Sequence, residues 1–303
     1  MPLQQLVNYF NQRFIEEQGL AGSPLRLREL RAEGRCEGLW FGSLLHPVYA
    51  YPEVSSLIAY DASLQVVETT GPTGLLPDEL TLARAGSTHD SLSALYRRDD
   101  TGSTSERAVV DLDRLSRTVH LLNFLVFSHE VRSVFLHVHP LHILAVEKDH
   151  GAYFEEVILR CGLLPKRIVI TLPVSRAYAN QASILLSRLR NYRERGYATA
   201  LKFEDDLEDA SYLKFLNQFT PDFVRFERSI LEKRLKTNTS SRARTSTLLE
   251  RIHQKDTRLL VEGIRTPHDA EIIDRLQPDA VKGDYFKAIS RVETEAVARV
   301  VNY

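Results

Sequence analysis

Short apolar runs alternate with amphipathic segments along most of this chain, and the clearest example lies between residues 257 and 286. Residues 259–261 form an apolar run that is typical of a strand covered on both faces. A helix follows, with Thr266 as its N-cap and Pro267 in its first turn, and it ends before Pro278. A second short strand comes next. Because two strands joined by one helix pair in parallel, this unit predicts a parallel α/β fold.

Equivalent strands recur at intervals of about 30 residues, each followed by a helical segment, which is typical of repeated βα units. The predicted strands are 133–139, 167–173, 198–203, 222–226, 259–261 and 280–281. The predicted helices are 111–129, 151–161, 180–194, 210–217, one that ends near 254 after the polar stretch 236–247, the one after Thr266, and 289–301. Three short extended runs between residues 39 and 67 complete the set. Seven or eight such strands favour a closed (β/α)8 barrel over an open sheet.

The N-terminal segment has a different pattern. Residues 3–17 predict an amphipathic helix for docking or packing, because one face carries Leu3, Leu6, Val7, Phe10 and Phe14. We expect a second, arginine-rich helix over residues 25–33. The predicted organisation is therefore a helical extension over residues 1–34 and a barrel domain over residues 35–303. Two further helices, 78–84 and 88–98, and a polar loop, 99–107, are predicted within the barrel domain.

Composition narrows the functional classes. The 39 basic and 40 acidic residues leave a net charge of −1, so no bulk attraction to nucleic acid or to an acidic membrane is expected. Cys36 and Cys161 are far apart in sequence, which is typical of reduced thiols in a cytoplasmic protein. No apolar segment approaches the length of about 18 residues that a membrane span needs, and no signal peptide is visible. We therefore expect a cytoplasmic protein without a membrane span.

Histidines near residue 139 are the first candidates for chemistry. On a strand, His137 and His139 would point to the same side, as in some zinc or two-metal hydrolases. Such a site needs further ligands at later strand ends, and those ends carry mostly cations and a threonine. Packed or hydrogen-bonded histidines are therefore the default interpretation. The acidic run 204–206 has two interpretations, a divalent-cation ligand set or a solvated loop before the next helix.

A series of short motifs in a fixed order carries a family resemblance. The motifs are His46-Pro47-Val48, Ala59-Tyr60-Asp61-Ala62-Ser63-Leu64-Gln65, Gly74-Leu75-Leu76-Pro77, Leu163-Leu164-Pro165, Gly196, Pro221-Asp222, Val261-Glu262-Gly263-Ile264 and Lys282-Gly283-Asp284-Tyr285-Phe286. Together they resemble the EAL-domain family of cyclic di-GMP phosphodiesterases. The resemblance covers residues 39–286 and implies a modified TIM (β/α)8 barrel of the EAL type, here with extra N-terminal helices.

The same resemblance implies that the family's catalytic set is altered. Active members hold two divalent cations with carboxylates and an asparagine. The corresponding positions here are Asp61, Gln65, His137, Thr171, Lys202, Phe203, Arg225, Glu227, Glu262 and Lys282. Glu262 is the position that keeps the family residue, and Gln65 replaces the arginine that grips the dinucleotide. A shifted alignment would put Asp205-Asp206 in place of Lys202-Phe203.

Two divalent cations demand several anionic oxygens, whereas Lys202, Arg225 and Lys282 would bring positive charge to the same mouth. We expect these cations to pair with Asp61, Glu227 and Glu262, and we expect neither metal cofactor nor phosphodiesterase activity. The favoured function is a regulatory module that binds another protein, or a second copy of itself, in bacterial control of motility, attachment or biofilm. Two alternatives are a cyclic di-GMP receptor without hydrolysis, disfavoured by Gln65, and a metal hydrolase that uses His137, His139 and Asp61.

Overall fold

The computed structural model describes residues 2–18, 22–36, 38–70, 80–81, 106–129, 131, 133–146, 152–204 and 209–287. The chain forms two compact units. The first contains Met1–Leu45 and Asp61–Ile168, and the second contains His46–Tyr60 and Val169–Tyr303. The helices expected at 88–98 and 289–301 lie outside the described residues, as do most of the helix at 78–84 and of the loop at 99–107. The boundary between residues 34 and 35 stays a prediction.

The first unit combines antiparallel strands with helices. Its elements are α1 (Leu3–Gln18), β1 (Leu25–Arg28), β2 (Arg31–Cys36), the first part of β3 (Leu39–Ala50), most of β4 (Leu57–Thr69), α2 (Glu106–Phe124), β5 (Ser133–His137), α3 (Pro140–Ala145) and α4 (Ala152–Arg160). The apolar stripe of α1 is buried, since Phe10 and Phe14 are both 0% exposed. That stripe therefore packs inside the unit, and the outer face of α1 is polar.

The arginine-rich helix expected at 25–33 is wrong. These residues form the antiparallel β1–β2 hairpin, in which Arg26 lies opposite Glu33 and Arg28 lies opposite Arg31. The sequence Leu-Arg-Leu-Arg of β1 alternates with a period of two, which is the period of a strand. The extended runs expected between 39 and 67 are two long strands, β3 and β4, which also pair with each other.

The second unit contains the parallel strands that the sequence predicts. Its elements are β6 (Ile168–Val174), α5 (Ala182–Glu194), β7 (Ala198–Phe203), α6 (Asp209–Gln218), β8 (Phe223–Glu227), α7 (Arg228–Thr237), α8 (Thr239–His253), β9 (Arg258–Glu262), α9 (Pro267–Asp274) and β10 (Ala280–Lys282). Each of β6 to β9 pairs in parallel with the next strand. On its other side β10 pairs antiparallel with β3, through Ala280 opposite Ala50.

Two helix boundaries in this unit have clear local causes. The polar stretch 236–247 is divided between the end of α7 and the start of α8. The division lies at Asn238, whose side chain caps α8 by accepting a 2.8 Å hydrogen bond from the Ser241 N–H. The N-cap predicted at Thr266 is confirmed, and Asp269 completes a capping box with it. None of the described helices has the length and apolar character that crossing a bilayer requires.

The strand β10 ends at a glycine that has no room for a side chain. A Cβ atom at Gly283 would collide with the carbonyl oxygen of Ile264 and lie 2.7 Å from that residue's backbone nitrogen. Two backbone hydrogen bonds flank this contact: the Ile264 N–H donates to the Lys282 carbonyl, and the Ile264 carbonyl accepts from the Tyr285 N–H. Gly283 therefore lets the loop after β9 cross the end of β10.

We expect Gly283→Ala to lower the free energy of unfolding by about 1–3 kcal/mol, because the new methyl group meets backbone that cannot move aside alone. Urea unfolding followed by circular dichroism measures this change in the free energy of unfolding. The matched control is Gly42→Ala, where the added Cβ would have its nearest neighbours at ordinary contact distances of 3.7 and 4.0 Å. Equal stability of the two variants would contradict the close approach.

Candidate functional site

Five consecutive parallel strands of the second unit each bring one polar side chain to the same buried region. They are Thr171 on β6, Lys202 on β7, Arg225 on β8, Glu262 on β9 and Lys282 on β10. The strand register supports this placement, because Lys202 lies opposite Arg225 and Glu262 lies opposite Lys282. Every one of these residues is buried, with exposed fractions of 0 to 7%. We call this group the buried ion cluster.

Glu262 is the centre of the buried ion cluster. The Arg225 Nε donates a 2.7 Å hydrogen bond to Glu262 Oε1, and the Lys282 Nζ lies 2.6 Å from Glu262 Oε2. The Lys202 Nζ lies 3.8 Å from the same Oε2 atom. Arg225 also donates through Nη1 to the Thr171 hydroxyl at 3.1 Å. Both carboxylate oxygens of Glu262 therefore face cations that belong to the chain itself.

The arrangement confirms part of the expected pairing. Lys202, Arg225 and Lys282 were expected to pair with carboxylates, and within this unit they share Glu262. Burial of a charge in a medium of low polarity costs several kcal/mol unless an opposite charge and hydrogen bonds offset it. The cluster supplies both, since the guanidinium and ammonium groups are donors as well as cations.

Two other expected positions lie beside the cluster. Phe203 follows Lys202 on β7, so its side chain points to the opposite face of the strand. There it stacks on Phe226 at a centroid distance of 5.1 Å and meets the ring of Tyr212 from α6 edge-on. Glu227 ends β8, and its carboxylate lies against Gly263, where a Cβ atom would collide with it. Gly263 has a φ of +79°, so both backbone conformation and space favour glycine directly after Glu262.

Asp61 and His137 belong to the first unit and pair there. The Nε2 atom of His137 lies 3.3 Å from Oδ1 of Asp61, whose side chain is 0% exposed. His120 of α2 is part of the same environment, and its Nδ1 lies 2.7 Å from the Ser43 hydroxyl. The pKa of His120 is lowered to about 3, chiefly by burial and also by the neighbouring His137, while Asp61 and Asp113 act in the opposite direction. His120 is therefore neutral at physiological pH.

The pair of histidines expected on one side of a strand does not exist. The strand β5 ends at His137, and His139 is the N-cap of α3, where its Nδ1 accepts a 3.2 Å hydrogen bond from the Leu141 N–H. Across the described part of the chain, no group of three or more His, Cys, Asp or Glu side chains is placed to hold a metal ion. The acidic run 204–206 lies largely outside the described residues.

A second buried ionic group in the first unit escaped the sequence analysis. Asp113 lies 2.8 Å from Arg117 and 2.7 Å from the Nδ1 of His142, and it accepts a hydrogen bond from the His139 N–H. Burial raises the pKa of the Asp113 carboxyl, but Arg117 and His142 outweigh it and hold the pKa well below its usual range. Positions 113, 117 and 120 share one face of α2. This helical spacing of polar residues is the sequence signal from which a buried polar helix face could have been predicted.

Gln65 lies farther along β4 than Asp61 and lines a small cavity of about 240 Å³ in the first unit. Arg28, Arg31, Ser43 and Asn123 also line it. Asn123 donates a 3.1 Å hydrogen bond to Ser43, which connects this wall to His120. The described structure therefore places Gln65 beside the β1–β2 hairpin and α2.

Removal of the carboxylate at the centre of the buried ion cluster should be strongly destabilising. We expect Glu262→Gln to lower the free energy of unfolding by about 3–5 kcal/mol, because it leaves buried cations without their counter-charge. Chemical denaturation measures the change. Glu250→Gln, at an exposed position of α8, makes the same chemical change and should stay within about 0.5 kcal/mol of the wild type. A Glu262→Gln chain as stable as this control would contradict the assigned role.

The depressed pKa of His120 predicts a pH dependence. Between its ordinary value of 6.5 and about 3, the unfolded chain binds a proton at this side chain that the folded chain does not. Stability from this group is present above pH 6.5 and is lost as the pH falls toward 3. We expect His120→Gln to reduce the slope of unfolding free energy against pH by up to about 1.4 kcal/mol per pH unit. Parallel slopes for variant and wild type between these limits would refute the prediction.

Comparison with known proteins assigns the fold. The EAL domain of Xanthomonas citri FimX, in complex with c-diGMP, is 14% identical with a TM-score of 0.57, over 93% of this chain and 92% of that chain. Klebsiella pneumoniae BlrP1, in a manganese and cy-diGMP complex, is 15% identical with a TM-score of 0.58, over 91% and 64%. The EAL enzyme Bd1971 in its cAMP and cyclic-di-GMP bound form is 16% identical with a TM-score of 0.53, over 94% of this chain and 65% of that chain. At these identities the likeness shows the fold alone, the α/β fold of EAL domains.

No protein with a curated description matches the sequence. The model of the EAL domain family matches residues 116–288, which is more than half of the chain. This range contains β5 to β10 and every residue of the buried ion cluster. The chain belongs to the EAL domain family, whose fold is the modified TIM barrel that its sequence predicts.

Proposed function

We propose that this chain is a catalytically inactive EAL domain that acts in bacterial signalling as a regulatory module by binding another protein. The observation that supports the proposal is the occupation of Glu262 by Arg225 at 2.7 Å and Lys282 at 2.6 Å. A protein cation at each carboxylate oxygen takes the coordination positions that a metal ion would need. The control of motility, attachment or biofilm is proposed on the family alone.

The residues present do not fit a two-metal centre. Mg²⁺ and Mn²⁺ require several oxygen ligands with enough negative charge to offset four positive charges. The buried ion cluster offers the carboxylate of Glu262 and the hydroxyl of Thr171, together with three cationic side chains. Adding divalent cations there would place like charges within a few ångströms of each other in a buried region. No hydrolytic step through metal ions is therefore derived for this chain.

The metal hydrolase alternative gains no support from the first unit. His139 already accepts a hydrogen bond from the α3 backbone, and His137 already pairs with Asp61. Histidine and aspartate in such a pair also form a stable structural contact without a metal. The receptor alternative is an outcome of the experiment below, since the FimX and BlrP1 structures are complexes with the dinucleotide.

The first experiment is a turnover assay on the purified chain with cyclic di-GMP and either Mg²⁺ or Mn²⁺, followed by calorimetric titration. We expect no hydrolysis and no binding heat. Hydrolysis that depends on the metal would refute the proposed inactivity. Binding without hydrolysis would replace the proposed function with that of a dinucleotide receptor.

The second experiment tests whether the cations beside Glu262 prevent metal binding, and it measures metal affinity instead of activity. Lys202→Asp combined with Lys282→Gln removes two cations beside Glu262 and adds a carboxylate. We expect this variant to bind Mn²⁺ at least about tenfold more tightly than the wild type in an electron paramagnetic resonance titration, a change of about 1.4 kcal/mol in binding free energy.

The matched control for that variant is Lys236→Asp combined with Lys287→Gln, which makes the same changes at two exposed lysines. An equal gain of Mn²⁺ affinity in the control would show that net charge, rather than the buried ion cluster, decides metal binding. Near-ultraviolet circular dichroism verifies that both variants keep their tertiary packing.

A further inference from the structure

A small cavity of the first unit has a wall that carries charges of both signs. It is the cavity of about 240 Å³ that Gln65 lines, and we call it the hairpin cavity. One side of it is the face of the β1–β2 hairpin that carries Arg28, Arg31 and Glu33, and Glu29 of the turn completes that side. Arg31 and Glu33 point the same way because alternate residues of a strand share a face. The hairpin therefore contributes two cations and two carboxylates to one small space.

Glu33 is the buried carboxylate of the hairpin cavity, with an exposed fraction of 6%. Its Oε2 atom accepts a 2.6 Å hydrogen bond from the Arg26 Nε. The other oxygen, Oε1, accepts no hydrogen bond from the described residues, and it is not sealed from solvent. A carboxylate oxygen in a nearly buried position is stabilised by a donor, and a cationic donor stabilises it most. Glu33 therefore offers the cavity an acceptor for an ammonium group.

Arg31, which is exposed, brings the opposite charge to the hairpin cavity. Arg28, directly across the hairpin, already pairs with Glu68 at 3.3 Å. Arg31 has no ion pair or hydrogen bond with any described residue, and like charges at directly opposed strand positions are destabilising. An anion beside Arg31 would offset that repulsion. Positions 31 and 33 are about 7 Å apart along β2, so a ligand with a carboxylate and an ammonium group can reach both side chains.

The wall opposite the hairpin is held in place by hydrogen bonds of its own. The Asn123 side chain accepts from the Ala32 N–H at 2.9 Å and donates to the Ala32 carbonyl at 2.8 Å. Ser43 accepts a 3.1 Å hydrogen bond from Asn123, and its hydroxyl lies 2.7 Å from the Nδ1 of His120. Because these groups are paired without a ligand, the cavity is formed in advance and binding requires little reordering.

Size and the apolar part of the wall limit the ligand further. Pockets for drug-sized ligands have volumes of about 300–1,000 Å³, so a cavity of about 240 Å³ suits a smaller molecule. Gly42 and Val67 supply apolar surface, and a Cβ atom added at Gly42 would have its nearest neighbours at 3.7 and 4.0 Å. A free amino acid fits these limits, because it is small and carries one ammonium and one carboxylate group at neutral pH.

We propose that the hairpin cavity binds a free α-amino acid as a zwitterion. The ammonium group of the ligand donates to Oε1 of Glu33, its carboxylate accepts from Arg31, and its side chain lies toward the apolar wall. Glu29 disfavours ligands that carry negative charge alone, and Arg28 disfavours those that carry positive charge alone. The proposal goes beyond the proposed function, since it makes the first unit a receptor for a small molecule whether or not the chain hydrolyses cyclic di-GMP.

The first test is calorimetric titration of the purified chain with each of the common L-amino acids. We expect at least one of them to bind with a stoichiometry of one per chain. The same amino acid should raise the midpoint of thermal unfolding, because it binds the folded state and not the unfolded chain. A folded chain that binds none of them would overturn the proposal.

The second test asks whether both charges of the ligand are recognised. The N-acetyl derivative of the amino acid that binds best lacks the ammonium group, and its amide lacks the carboxylate. We expect each derivative to bind at least about tenfold more weakly, because each loses one charge-assisted contact. A derivative that binds as tightly as the amino acid itself would overturn recognition of a zwitterion.

Two variants locate the binding site. Arg31→Gln should weaken binding at least about tenfold, whereas Arg35→Gln, the same change on the same strand outside the cavity, should leave the affinity within about twofold. Gly42→Val should abolish binding by filling the cavity, and near-ultraviolet circular dichroism verifies that this variant is folded. Unchanged affinity in Arg31→Gln, or in a folded Gly42→Val chain, would overturn the proposal. Because none of these measurements uses cyclic di-GMP, failure of this proposal and failure of the proposed function are distinguishable.

Discussion

The carboxylate of Glu262 and its cations are the interaction on which the second unit depends. A glutamate with no exposed surface would destabilise the fold by several kcal/mol without compensation. Compensation comes from Arg225 and Lys282, which approach opposite oxygens of the same carboxylate. This requires β8, β9 and β10 to end in register, with Gly263 and Gly283 clearing space immediately after the two strands that carry Glu262 and Lys282. The ion pairs of Glu262 therefore form only if the backbone at the ends of β8, β9 and β10 keeps this geometry.

The architecture of the second unit could be predicted from the sequence because each of its strands is a short apolar run followed by an amphipathic helix. The predicted bounds of β7 were correct, and the N-cap at Thr266 was found from its chemistry. The N-terminal hairpin was missed because Leu-Arg-Leu-Arg is so short that a period of two and a helical period fit it almost equally well. The turn residues did not predict a hairpin either, since Glu-Leu is not a sequence that two-residue hairpin turns favour.

The candidate site was predictable at the level of charge and not at the level of contacts. The sequence placed Lys202, Arg225 and Lys282 at strand ends and expected Asp61, Glu227 and Glu262 as their partners. The structure shows that all three cations share Glu262. The placement of Asp61 with His137 and His120 could not be predicted, because it depends on how α2 packs against the strands of the first unit. His139 shows the limit of strand periodicity, since β5 ends two residues earlier and the backbone turns into α3. A histidine pair in sequence was therefore not a pair in space.

Sharing of one carboxylate by several cations has an evolutionary consequence. If Lys282 alone were replaced by a neutral residue, Arg225 would still hold one oxygen of Glu262, and a divalent ion would still lack ligands. If Glu262 alone were lost, the remaining cations would repel one another in a buried region. Neither single replacement therefore produces a metal centre, and the loss of Glu262 also lowers stability. Under the proposed function, the loss of the metal centre is therefore difficult to reverse, because several residues of the buried ion cluster would have to be replaced together.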